Sequence, residues 1–169
     1  MTTPPRRIVV ADANVLINLM HVARLDMCAR LRDYEFVVPD HVREEITEPA
    51  QRAALDDAVT RGVFRIEVIT DLNAVALFAE LTVHIGRGEA ACLAIAFEKG
   101  WTLASDEKKR FRREVESRLG KERLIGTADL FVLAIQAGLL TVEEADADKA
   151  TLERRRFKMP FGSFRDLVK

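Results

Sequence analysis

The chain has few of the residues that staple or punctuate a structure: 2 cysteines, 1 tryptophan, 1 tyrosine, 5 prolines and 8 glycines in 169 residues. Cys28 and Cys92 match no metal-ligand or redox spacing, and Cys92 lies inside the apolar run AACLAIAF, so both are expected as reduced thiols of a cytoplasmic protein. No apolar run approaches the roughly 18 residues of a membrane span. The N-terminal apolar stretch is interrupted by Asp12 and Asn14, unlike the core of a secretion signal. A membrane partner and export are therefore excluded from the expectation. An excess of one charge is also missing: 26 basic against 27 acidic side chains give a net charge of −1, which argues against a strongly basic nucleic-acid binder of the histone kind. Repeats, low-complexity segments and Gly-, Pro- or Ser-rich linkers are absent too.

What is present is 49% apolar and 31% charged content, which fits one domain around one core. That core is expected over about residues 7–140, with a C-terminal helix and tail over 141–169. Short apolar or β-rich runs recur at RIVVA (7–11), EFVV (35–38), VFRIEVIT (63–70), WTLA (101–104) and RLI (123–125). In the third of these, Phe64, Ile66 and Val68 alternate with Arg65 and Glu67. Helix-like patterns separate the runs, which predicts βαβ units and an α/β sandwich on a parallel sheet. Pro39-Asp40 can open a helix, Gly100 can close one, and Thr141 with Glu144 forms the T-x-x-E pattern of a capping box.

Two strand ends carry an aspartate. Asp12 follows RIVVA just before a helix expected near Val15, and Asp106 follows WTLAS ahead of the helical pattern EKKRFRREVESRL. Ligands of open α/β sheets bind outside the carboxyl ends of the strands. The alternative role for each carboxylate is helix capping. A third acid, Glu89, stands at the mouth of the helix GRGEAACLAIAF, which is apolar nearly all round and expected against the sheet, with Gly86 and Gly88 permitting close backbone approach. The fourth lies in VPDHVREEI. At about 100° per residue, Glu45 borders the face shared by Val42 and Ile46 while Glu44 points to solvent, which favours Glu45 as the inward acid.

The ordered set VVADANVLIN, VVPDHVREEI, GRGEAACLAIA, TLASDEKK and LIGTADLFVLAIQAGLLT resembles a PIN domain, nearest to the small prokaryotic PIN proteins that include the VapC-type toxin ribonucleases. The resemblance runs from about Ile8 to Leu140. It implies a three-layer α/β/α sandwich with a five-stranded parallel sheet and a Mg²⁺- or Mn²⁺-dependent endoribonuclease. It further implies an RNA substrate and, for the toxins, an antitoxin protein partner and a homodimer. Carried over, Asp12, Glu45, Glu89 and Asp106 match the four acids in order; Asn14 and Ser105 fall at the family's polar and hydroxyl positions, and Glu107 at a second consecutive acid.

Gathered carboxylates repel one another unless a cation neutralises them. Hard ions with oxygen ligands suit the set better than Zn²⁺, because His21, His41 and His84 show no ligand spacing. On this reading Asp12, Glu89 and Asp106 hold metal and Glu45 serves a second site or orients water. Without Asp12, Glu45, Glu89, Asp106 and Glu107 the chain keeps 22 acids against 26 bases, leaving basic surface for phosphates. Lys108, Lys109, Arg112 and Arg113 are the foremost RNA-contact candidates, on a helix that buries Phe111 and Val115; Arg6, Arg7 and Arg87 are weaker ones. The alternative for such a charge run is a solvated face. Thr127 is expected as a helix N-cap within reach of a phosphate or site water.

The segment RRRFKMPFGSF (154–164) interleaves Arg and Lys with Phe, and Pro160 is expected to end any helix continuing from Thr141. It reads as a partner-docking segment, a base-stacking element, or a tail folded onto its own core. Two other functional classes stay open: a PIN-fold RNA- or protein-binding module without turnover, and a Mg²⁺-binding receiver-like signalling domain. The latter would want a paired acid at the first strand and a lysine after the last, where this chain has Asp12 alone and IGTAD.

Overall fold

The computed structural model describes residues 3–168. Five strands, β1 (Arg7–Ala11), β2 (Tyr34–Pro39), β3 (Arg65–Glu67), β4 (Thr102–Ala104) and β5 (Leu124–Ile125), form one parallel sheet in the order β3-β2-β1-β4-β5. Between and after them run α1 (Ala13–His21), α2 (Met27–Arg30), α3 (Asp40–Glu45), α4 (Pro49–Thr60), α5 (Leu72–Leu81), α6 (Arg87–Lys99), α7 (Arg110–Leu119), α8 (Thr127–Gln136) and α9 (Val142–Arg154). Successive strand residues face opposite sides of a sheet. Val9 and Val10 are both fully buried, as are Val37 and Val38, so helices cover both faces and the fold is a three-layer α/β/α sandwich. The all-round apolar α6 is the helix that its sequence predicts: residues 90–96 are buried and it packs across β1, β2 and β4.

The order of strands decides between two of the functional classes. A receiver-like sheet runs 2-1-3-4-5. Here β1 lies between β2 and β4, so the receiver reading does not hold. Because the chain adds β2 and β3 on one side of β1 and then β4 and β5 on the other, the topological switch point falls between β1 and β4. Ala11 pairs with Ala104, so Asp12 and Ser105 leave the sheet side by side at its carboxyl edge. Backbone hydrogen bonds fix that exit: Asp12 N–H donates to Ala104 C=O at 2.9 Å, and Ser105 N–H to Ile125 C=O at 2.9 Å.

Several local expectations change. The strand expected over 63–70 pairs only from Arg65 to Glu67 because it is an edge strand with one neighbour, and Val68 is 53% exposed. The helix expected to follow Asp106 directly begins at Arg110; Asp106 to Lys109 form a loop in which Lys109 has φ 61°. Lys108 and Lys109 therefore share no helical face with Arg112 and Arg113, although Phe111 and Val115 are buried as expected. Arg6 and Arg7 lie at the amino end of β1, the opposite edge of the sheet from Asp12, which removes them as contacts to a ligand at the carboxyl edge. Gly100 closes α6 with φ 72°, and Thr141 and Glu144 form the reciprocal capping box that opens α9. Cys28 and Cys92 are buried free thiols. Among the described residues no helix is long and apolar enough to cross a membrane.

The C-terminal segment folds back onto the core. Phe164 is fully buried, with ring centroids 5.6 Å from Phe131 and 4.9 Å from Phe161. Asp146 of α9 accepts hydrogen bonds from Ser163 Oγ at 2.6 Å and Phe164 N–H at 2.8 Å. Helix α9 stops at Arg154, well before Pro160, in a two-bond termination: Arg156 N–H donates to Glu153 C=O at 3.0 Å and Phe157 N–H to Leu152 C=O at 2.9 Å. Such endings place the first residue beyond the cap in the left-handed region, usually as glycine. Here that residue is Arg156, at φ 69°.

Candidate active site

Asp12 is only 2% exposed although it is ionisable. Its Oδ1 accepts from Ala13 N–H at 2.8 Å and its Oδ2 from Ser105 Oγ at 3.0 Å, so the expected capping contact with α1 exists beside whatever else the acid does. Burial drives its pKa from 3.8 up to about 7, opposed by the Ala13 and Ser105 hydrogen bonds and supplemented by the charges of Glu89 and Glu45. Three of the four acids singled out from the sequence are thus near enough to act on one another.

Glu45 ends α3, where Val42 and Ile46 are buried as the helical phase requires. Both Glu44 and Glu45 are exposed as whole residues, but the Glu45 carboxylate reaches across to α6 and accepts from Gly88 N–H at 2.7 Å. The backbone approach expected at Gly88 is therefore made, and the approaching group is an acid. A Cβ at position 88 would lie 2.6 Å from the Glu45 carboxyl carbon, so any side chain there displaces that carboxylate. Glu89 sits in the first turn of α6 and folds back so that Oε1 accepts from Gly86 N–H at 3.1 Å. Desolvation raises its pKa; the Gly86 bond opposes this, and the charges of Glu107 and Glu45 add to it.

Asp106 is bound differently. Its Oδ1 accepts from Thr127 N–H at 2.8 Å, and its Oδ2 accepts from Thr127 Oγ1 and from Asn18 Nδ2, the latter at 3.0 Å. Burial raises its pKa against these three bonds, and the charge that adds to the rise is that of Asp129. Thr127 is the first residue of α8 rather than its cap, since Gly126 takes the cap position and Asp129 accepts its N–H. The Thr127 hydroxyl is buried and spent on Asp106 and Asn18.

Asn14 ties the two strand ends together. Its Oδ1 accepts from Asp106 N–H at 3.1 Å, while Nδ2 donates to Glu107 Oε1 at 3.2 Å and Ser105 Oγ at 3.4 Å. Ser105 Oγ also accepts from Glu107 N–H at 3.1 Å. Sequence reading missed Asn18. It lies one helical turn beyond Asn14 on α1 and is 8% exposed within the apolar string VLINLM, so the spacing of two asparagines on one face was the available signal.

Among the described residues no three acidic, His or Cys side chains converge as they stand to hold a metal ion. Glu45 and Glu89 each spend one carboxylate oxygen on a backbone N–H, and both oxygens of Asp106 are engaged. The donor set is nonetheless oxygen-only: the Cys92 thiol is buried beneath it, donates weakly to Ala11 C=O at 3.9 Å, and has its pKa pushed well above the ordinary value by burial.

A parallel sheet with its switch point between β1 and β4, and acids from β1, α3, α6 and the β4 loop at that edge, defines an acidic-site α/β protein. The chain belongs to the PIN-domain family: the family model described as PIN domain (DUF3368) matches residues 8–158. Among solved structures, one similar chain comes from VapBC2 of Rickettsia felis bound to a DNA fragment from its promoter. Identity is 13%, the match covers 71% of this chain and 97% of that one, and the TM-score is 0.46. No curated protein matches the chain.

The crowding at position 88 makes one prediction. Gly88→Ala leaves every acid in place and favours the α6 helix by up to about 1 kcal/mol, yet it pushes the Glu45 carboxylate from its seat. Any activity that depends on the Glu45 carboxylate is expected to fall about tenfold or more while the melting temperature holds, within the range for moving a group that positions a water or ligand. Unchanged activity would show that the Glu45 seat on Gly88 N–H is immaterial.

Proposed function

We propose that this protein is a metal-dependent endoribonuclease that hydrolyses RNA phosphodiester bonds and acts as the toxin of a toxin–antitoxin pair. The observation that carries the reading is the buried Asp12 at the sheet's switch point, with Glu45 of α3 and Glu89 of α6 close enough to act on it and Asp106 held at the neighbouring strand end. A purely structural cap at α1 explains one hydrogen bond of Asp12; it does not explain two further acids raising its pKa.

Oxygen donors suit Mg²⁺ or Mn²⁺. Asp12, Glu89 and Asp106 would hold the ion, with Glu45 in a second site or orienting water. An ion held by these residues would supply a water of lowered pKa and positive charge against the scissile phosphate. The chain's own groups do the rest. Ser105 and Asn14 hold Asp12 and the Asp106 backbone in register, and Thr127 and Asn18 fix the Asp106 carboxylate. Glu107, held by Asn14, faces the same acids through Glu89. Lys108 and Lys109, exposed in the loop beside them, would meet substrate phosphates.

The test is incubation of the purified protein with a structured RNA pool in Mn²⁺ or in EDTA. Internal cuts that need the metal are the expected result. Retention of RNA without cuts would leave an RNA-binding PIN module. The toxin role predicts a neighbouring reading frame whose product binds this chain, including any homodimer of it, and suppresses the cuts.

A further inference from the structure

Two hollows flank the carboxyl edge of β4, of about 460 Å³ and 680 Å³, within the roughly 300–1,000 Å³ of small-ligand sites. Both share Asp106, Glu107 and Lys108 on one wall and Phe157 and Lys158 on the other. Away from this ridge they differ. The first adds an apolar stretch of Ile125, Ala128, Met159, Pro160 and Phe161, together with Arg112 and Asp129. The second adds Lys109 and Arg156, and is cationic. Among the described residues, none of Lys108, Lys109, Arg156 and Lys158 has an acidic partner within ion-pair distance, whereas Arg112 pairs with Glu116 and Lys149 with Glu153.

We propose that Phe157 is a stacking platform for one unpaired base of a single-stranded RNA, with the base against the apolar stretch of the first hollow and its flanking phosphates on Arg156, Lys158 and Lys109 in the second. The inference rests on the RNA-cleaving reading of the acids for the identity of its ligand. An apolar stretch on one side of a half-buried ring and unpaired cations on the other suit the base and the phosphates of a nucleotide. A continuous duplex keeps its bases stacked on each other and offers none to such a ring.

The backbone supplies a second observation. Arg156 occupies a left-handed position where glycine is the unstrained choice, so the helix end is built at a conformational cost that a charged side chain does not reduce. That same residue lines the cationic hollow. The wall is rigid, since Met159 and Phe164 are buried on either side of the turn that carries Pro160.

The experiment is titration of the full-length chain with a short labelled single-stranded RNA in EDTA, where nothing is cut. Phe157→Ala and Phe157→Leu are both expected to weaken binding about tenfold, the loss of one stacked base. Phe157→Trp is expected to bind as wild type and to change its emission on RNA addition. Arg156→Gly is expected to weaken binding and flatten its salt dependence while the melting temperature stays level or rises. A duplex of the same sequence is expected to bind less well and to ignore the Phe157 variants.

Wild-type affinity in Phe157→Leu would make the ring mere packing and overturn the inference. So would a wild-type protein that ignores single-stranded RNA in EDTA, including one whose hollows take an acidic peptide instead. Phe157-dependent binding without cuts in Mn²⁺ sustains the stacking site and removes the nuclease; cuts in Mn²⁺ with Phe157→Ala binding and cutting as wild type do the reverse.

Discussion

Asp12→Asn is expected to lose RNA cleavage by at least about a thousandfold and, without metal, to become more stable than wild type at neutral pH. The first half follows from removing the buried carboxylate around which the others gather, given that charge neutralisation by a bound ion is worth several kcal/mol and each 1.36 kcal/mol is tenfold. The second half follows from linkage. Burial raises the native pKa of Asp12 from 3.8 to about 7, so below the unfolded value both states hold the proton and there is no penalty. Between the two values the native state keeps a proton that the unfolded chain has released, and stability falls by about 1.4 kcal/mol per pH unit. The penalty reaches on the order of 4 kcal/mol near neutrality and stays constant above it. Asparagine does not titrate, still accepts from Ala13 N–H, and can face Ser105 with its amide. Thermal melts at about pH 5 and about pH 8 in EDTA should therefore show a larger pH-dependent loss in wild type than in the variant, which keeps only the contributions of Glu89 and Asp106. Mn²⁺ should raise the wild-type melting temperature, by about 2.7 kcal/mol of stability at a hundredfold excess over its dissociation constant. The variant should respond weakly. Equal metal shifts in both proteins would return Asp12 to the role of a helix cap.

Glu45→Gln is expected to lower cleavage at least about a hundredfold, as removal of an acid–base or water-orienting group does, whereas Glu44→Gln is expected to be nearly neutral. The two residues are adjacent, chemically alike and both exposed, so general charge effects act on both. Only Glu45 reaches α6, where its carboxylate accepts from Gly88 N–H and acts on both Asp12 and Glu89. Glutamine retains an oxygen for Gly88, which keeps a folding defect out of the comparison. Equal losses from both variants would show that the orientation of α3 does not select between them.

The positions of Asp12 and Asp106 were legible because a polar residue directly after a buried parallel strand has one place to be, the carboxyl edge of the sheet. Glu45 was legible by helical phase, since Val42 and Ile46 fix which side of α3 is buried. The loop after Asp106 was not. Glu107, Lys108 and Lys109 favour helix locally, but Asn14 Oδ1 and Ser105 Oγ take the N–H groups of Asp106 and Glu107, and the left-handed Lys109 then sets the start of α7 at Arg110. Those partners lie 92 positions away in one case and 2 positions upstream in the other, so no local window contains both. Asn18 was hidden for a related reason: an asparagine on an apolar helix looks like a boundary residue until Asp106 and Thr127 are seen against it. The edge strand was overread because apolar alternation continues to Val68 after its only neighbour, β2, has turned into α3.

The pairing of β1 with β4 sets when the two strand ends and their side chains can meet. Ser105 and Asp12 are separated by 93 positions and Asn18 and Thr127 by 109, and closing so long a loop carries an entropic cost that only the finished sheet offsets. A chain growing on the ribosome presents Asp12, Glu45 and Glu89 long before the groups that seat Asp106 have been made. Until Thr127 and the first turn of α8 have emerged, the Asp106 carboxylate has no hydroxyl or helix terminus to hold it. The seat of Asp106 is thus completed late in folding, when α8 docks against a strand end that the chain left more than twenty residues earlier.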